Sequence, residues 1–214
     1  MPDAIASLPT LQQQAARLVT LGVHELTGMD ESTLHRTVSA QKDRDDALVI
    51  IGSATPESLA PLIDRRGKAG FVVTDMVDVD LFKPIPESQP PETPIYLAEN
   101  LERGDEMANW SPNEALSEIV ARGRTPLTLT EGILWALQRP EILVRNHCFM
   151  TIGSRLTKPD GRLDARTPAL WISNGTGRDG TARRDAPKIG WCWAGNRHTW
   201  LGFASAAGRS LLAQ

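Results

Sequence analysis

The sequence predicts an α+β fold: N-terminal helices and short strands packed on a C-terminal, largely antiparallel four-stranded meander. Three observations carry this. Leucines recur at helical spacing through the first forty residues, the stretch after Cys148 alternates with the strand period of two, and prolines, glycines and capping signatures punctuate the chain between them. With 214 residues, 41% hydrophobic and 23% charged, there is enough apolar material for one generous core. The chain reads as a single α+β domain over 1–214, with a helical N-terminal segment at 1–45, a mixed α/β part at 46–140 and a basic, tryptophan-rich β part at 141–214.

Each element has a local reason. Leu8, Leu11, Ala15, Leu18 and Leu26 mark the first helical stretch, Gly28 closes it, and Asp30 is placed to cap a second one carrying Leu34 and Val38. Residues 41–46 are a polar break, after which 48–51 (LVII) is a short apolar strand. A helix start follows at 53–56, ahead of Leu59, Leu62 and Ile63, and 71–73 (FVV) is a second strand. Five prolines between Lys83 and Pro94 remove backbone donors, which predicts an extended surface connector and not a strand.

Extended chain resumes at 95–97. Ser111, Pro112 and Glu114 then sit where a cap, a first helical residue and its reciprocal partner belong, so a helix should run to about Arg122 and stop at Gly123. Another opens at Thr130 and ends before Pro140. Strands follow at 148–152 and 169–172, and the segment 188–203 reads as a closing hairpin.

Charge is unevenly spread. Residues 1–140 carry 12 Lys and Arg against 21 Asp and Glu, a net of −9, whereas 141–214 carry 11 against 5, a net of +6. Two oppositely charged layers packing on each other is the plain reading, and a site for an anion in the basic third is the functional one. The opening Met-Pro-Asp-Ala-Ile has no basic segment followed by an apolar run, and nowhere do about twenty apolar residues run together, so a cytoplasmic location and no membrane are expected. Cys148 and Cys192 are then expected as reduced thiols.

Several motifs of the second half resemble a family. Arg124-Thr-Pro-Leu-Thr-Leu-Thr-Glu-Gly132, Thr151-Ile-Gly-Ser-Arg155, Pro168-Ala-Leu-Trp-Ile172 and Gly190-Trp-Cys-Trp-Ala-Gly-Asn-Arg-His-Thr-Trp-Leu-Gly202 are similar to an uncharacterised actinobacterial protein family, a domain of unknown function. The resemblance spans about residues 70–208. It implies one domain and carries over no activity, cofactor or site.

A two-residue turn at Gly195-Asn196 would set Trp193 opposite His198 and Trp191 opposite Trp200. One face then shows Ile189, Trp191, Trp193, His198 and Trp200, either as a core layer, the plainer reading, or as a stacking platform with His198 as its polar handle. Cys192 and His198 fall on opposite faces, and no paired ligand spacing exists, so no structural zinc is expected. Residues 175–180 (GTGRDG) match the dinucleotide fingerprint by letter, but the Arg- and Pro-bearing segment after them cannot open the helix that would receive a pyrophosphate.

What remains is a glycine-rich loop at 174–187 whose Arg178, Arg183 and Arg184, with Lys188 beyond it, could clamp a phosphate or carboxylate. Asp75, Asp78 and Asp80 form a carboxylate cluster of the kind Mg²⁺ takes, although charges on a strand end explain them as well. No other cofactor is expected. The sequence has no Ser-His-Asp order, HExxH or P-loop, and leaves catalysis open. The expectation is a cytoplasmic protein binding a small anionic or nucleotide-like ligand where the Arg-rich loop overhangs the sheet, with Trp193 and His198 beside it. The alternative is a nucleic-acid- or protein-interaction module using the basic C-terminal face, and nothing sets the oligomeric state.

Overall fold

A computed structural model describes residues 7–212. Residues 1–6, on which the expectation of no export signal partly rests, lie outside them. The helices are α1 (Leu11–Thr20), α2 (Val23–Leu26), α3 (Glu31–Ser39), α4 (Pro56–Leu59), α5 (Pro112–Ala121) and α6 (Leu129–Gln138). The strands are β1 (Ala47–Ile51), β2 (Asp64–Arg65), β3 (Lys68–Ala69), β4 (Phe71–Val72), β5 (Lys83–Pro84), β6 (Ile95–Glu99), β7 (Thr125–Pro126), β8 (Cys148–Met150), β9 (Ser154–Arg155), β10 (Arg166–Ile172), β11 (Pro187–Trp193), β12 (Leu201–Phe203), β13 (Ser205–Ala206) and β14 (Gly208–Leu211).

Two larger sheets organise the chain: an antiparallel one in the order β1-β6-β14 and a mixed one in the order β12-β8-β10-β11-β4. Helix α6 touches both β1 and β10. Its sequence, LTEGILWALQ, is apolar on every side, which suits a helix covered all round, and nine of its ten residues are buried. Gly132 makes the close fit to the mixed sheet, because a Cβ there would stand 2.4 Å from Thr151 Cγ2. Trp135 meets Phe149 of β8 at 5.7 Å between ring centroids, within the main core.

Local chemistry explains where the helices begin. Thr128 and Ser111 both close capping boxes, with Glu131 and Glu114 as reciprocal partners, and Asp30 caps α3 through the Thr33 amide. The first sheet's outer strand is covered by a side chain: buried Gln14 of α1 donates to the Ala47 carbonyl at 2.8 Å and accepts from the Val49 amide at 2.8 Å. A polar network closes the other end. Arg209 of β14 grips both oxygens of Glu131 at 2.6 and 2.7 Å, and the Tyr96 hydroxyl donates to the same carboxylate at 3.0 Å. Burial first, and the Glu131 charge second, push the Tyr96 hydroxyl far above its ordinary pKa.

The α+β class is as expected, and all four anticipated C-terminal strands lie in one sheet. Their pairing differs. β11 pairs with β10 and, in parallel, with β4, while β12 pairs in parallel with β8, so the closing hairpin does not form and Trp191 does not face Trp200. The turn that hairpin needed would place Gly195 at positive φ, which it does not adopt. Segment 194–200 instead docks on the start of α5, where the Asn113 amide donates to the Ala194 carbonyl at 3.1 Å and the Asn109 amide to the His198 carbonyl at 2.9 Å. Within β11 the anticipated alternation holds, but the five-residue aromatic face does not form as a core layer, because His198 and Trp200 lie outside any strand and Trp193 and Trp200 are exposed. Ile189 and Trp191 join the main core, and Cys192, with Leu201 and Phe203, joins a second core under α5.

Lesser differences lie in the connectors. The proline-rich segment does contribute a two-residue strand, β5, against β9. Asp78 and Asp80 do not share an extended face, since Val79–Leu81 is a 3₁₀ turn. Among the described residues no helix is long and apolar enough to cross a membrane.

Candidate anion-binding surface

The Arg-rich loop 174–187 leaves β10 and returns as β11, and two 3₁₀ turns, Gly177–Asp179 and Thr181–Arg183, shape it. Most of its cations have partners within the protein. Lys188 pairs with Asp179 at 2.7 Å, the same carboxylate oxygen that accepts from Ser173 Oγ at 2.7 Å, and its ammonium lies 4.9 Å from the Trp171 ring centroid. Arg183 stands 4.3 Å over the Phe71 ring, and Arg178 reaches Asp75 at 3.2 Å. Arg184 is exposed and has no partner among the described residues. A clamp built from these four side chains alone is therefore not preformed.

A second element brings further cations to the same place. β2 and β3 form a hairpin in which Arg65 faces Lys68, and its tip, Arg66-Gly67, has positive φ at both residues (56° and 76°). That is the geometry of the tight turn whose twist fits a hairpin, and Arg66 is an unusual occupant because side chains with a Cβ strain there. The base of the hairpin is closed by the Gly70 amide on the Ile63 carbonyl at 2.7 Å. Gly70 has to be glycine, since a Cβ would lie 2.3 Å from the Ala60 carbonyl oxygen.

Hairpin and loop touch through Lys68 Nζ, which donates to the Ala182 carbonyl at 3.5 Å. Arg145 adds to the group, held by Asn174 at 3.0 Å and paired with Asp185. Arg65 is half-buried and has no carboxylate partner among the described residues. Burial first, then the charges of Arg66 and Arg145, pull its pKa below the ordinary arginine value. The crowding leaves a surface rich in donors and short of acceptors, which is what phosphate or carboxylate recognition uses.

The other anticipated site residues lie elsewhere. Trp193 ends β11 five residues beyond Lys188, roughly 16 Å at the usual rise of a strand. It stands 46% exposed against Trp191, with ring centroids 4.5 Å apart. His198 stacks on Trp200, 47% exposed, at 4.6 Å, and Arg197 beside it pairs with Glu114. This aromatic group therefore does not join the basic surface. The three aspartates part company as well: Asp75 goes to Arg178, Asp78 to Arg166 at 2.7 Å, and Asp80 accepts from the Glu57 amide at 2.9 Å. Among the described residues no group of three or more His, Cys, Asp or Glu is arranged to hold a metal ion. Burial pushes the Cys148 thiol up to about 12, which leaves it without thiolate character at neutral pH.

A family model described as a family of unknown function (DUF5701) matches residues 17–212. The chain belongs to that family. The match takes in both halves of the basic surface, hairpin 64–69 and loop 174–187, together with every strand of the two main sheets. No curated protein and no solved structure matches the chain.

Proposed function

We propose that this protein binds a small anionic, phosphate-bearing ligand on the surface shared by hairpin 64–69 and loop 174–187. One observation carries the reading: Arg65 is half withdrawn from water beside Arg66 and Arg145, and no carboxylate among the described residues pairs with it. Elsewhere the fold does supply them, as Arg166 shows with Asp78 and Asp164. An anion bridging Arg65, Arg66 and Arg184 would relieve the repulsion that the unliganded protein tolerates.

Inorganic phosphate should raise the melting temperature at low ionic strength, and the gain should shrink as salt is added. The double variant Arg65→Ala, Arg66→Ala should lose that gain while its unliganded stability changes by no more than about 1 kcal/mol, because neither side chain has a partner among the described residues. No shift with phosphate, or a shift the double variant retains, would reject the reading. A nucleic-acid backbone is the second reading, favoured by the openness of the surface, where Arg178 stands 77% exposed. A duplex oligonucleotide that binds with a steep salt dependence while phosphate shifts nothing would select it.

A further inference from the structure

A cleft of about 900 Å³ lies away from the basic surface, between the start of α3, the β1–α4 connection, the proline-rich segment and the start of α6. We propose that this cleft is a binding site for a small zwitterion of the amino-acid or dipeptide class, held with its carboxylate inward and its ammonium at the rim. The floor supplies donors. Thr128 and Ser154 line the cleft and are 3% and 1% exposed, and each hydroxyl oxygen already accepts a backbone N–H, from Glu131 at 3.3 Å and Leu129 at 2.9 Å. Neither hydroxyl proton has an acceptor among the described residues, and exposed Ser53, which lines the same cleft nearer its mouth, has no partner among them either. Buried donors left in this state favour a ligand that brings oxygen acceptors. Because α6 begins there, its dipole adds to the preference for a negative group.

The rim reads the opposite way. Its charged residues are Asp30, Asp80, Glu92 and Lys83, three carboxylates against one cation. Asp30 and Asp80 are tied to the first turns of α3 and α4, whereas the side chains of Glu92 and Lys83 have no partner among the described residues. A phosphate dianion would meet a net negative rim, and a simple cation would leave the hydroxyl protons of the floor unanswered. A molecule carrying both charges satisfies both ends. Phe82, Tyr96 and prolines 84, 90, 91 and 94 give the walls apolar surface for a side chain. Tyr96 is fixed by its bond to Glu131, so that wall is preformed.

Ligand-observed NMR with the twenty free amino acids and a set of dipeptides tests the assignment. At least one should bind saturably at up to about 10 mM, and its N-acetylated amide should not. Ser53→Trp fills the mouth and Glu92→Gln removes the free rim carboxylate. Both residues are exposed and unpartnered, so the fold should survive, and each change should weaken binding by about tenfold or more. Arg65→Ala with Arg66→Ala should leave this binding untouched, which separates it from the phosphate surface. Absence of binding across the panel, equal binding of the blocked form, or binding that persists in Ser53→Trp would overturn the proposal.

Discussion

Arg209 at the inner edge of the first sheet and Arg65 in the basic hairpin are both drawn out of water, yet only Arg209 meets a carboxylate of matching shape. Its side chain is 3% exposed against a fully buried Glu131 side chain, with Thr125 and the Pro126 carbonyl taking further donors. Arg65 has Arg66 and Arg145 for neighbours. The difference shows what each cation is for. A buried charge is tolerated when every donor is answered, and a partly buried charge left unanswered by the fold is poised to be answered from outside.

The contrast can be broken most directly at its buried end. Glu131→Gln leaves Arg209 without its counter-charge in the interior and should cost about 3–5 kcal/mol in chemical denaturation, the range for breaking a buried pair. A loss under about 1 kcal/mol would mean that water reaches the pair and that the two arginines differ little. Arg166 sharpens the middle of the scale. It bridges Asp78 and Asp164 with its guanidinium 5.3 Å over the Phe82 ring and 17% of its side chain exposed, so Arg166→Met should cost about 1.5–3 kcal/mol.

The smallest effect belongs to Glu114, exposed at the start of α5. Arg197 first, and the Ser111 amide and hydroxyl next, hold its carboxyl at about 2, below the ordinary 4.5. A carboxyl lowered in the folded state stabilises fully above its unfolded value and loses that contribution as pH falls toward the folded one. The melting temperature of the wild type should therefore exceed that of Glu114→Gln at neutral pH, and the gap should narrow from about pH 4.5 and vanish near pH 2. A gap constant across that range would show that Glu114 acts through packing alone.

Features set by a few neighbouring residues were legible in the sequence. The caps at Asp30 and Ser111, the stop at Gly123 and the alternation along 187–193 follow from chemistry within one turn or one strand. The partner of β12 was not, because its parallel pairing with β8 joins residues some fifty positions apart through no local turn. The hairpin 64–69 was missed for a related reason. Its tip holds Arg-Gly where Asn-Gly is the usual sign, and Gly67 alone was the available signal. Of the anticipated site, Arg184 stands free on the basic surface, and Lys188 turned out to be occupied by Asp179, a residue within the same loop. Arg65 and Arg66 lay outside it because only the folded chain brings them to the loop.

The pairing of Glu131 with Arg209 also has a consequence in time. The two residues are 78 positions apart, so during synthesis the carboxylate of α6 is made roughly 4–16 s before the cation that accompanies it indoors, at a typical rate of elongation. Throughout that interval, seating α6 between the sheets would bury a bare charge. The central helix is thereby penalised for docking early, and the last strand of the first sheet becomes the event that licenses closure of the interior.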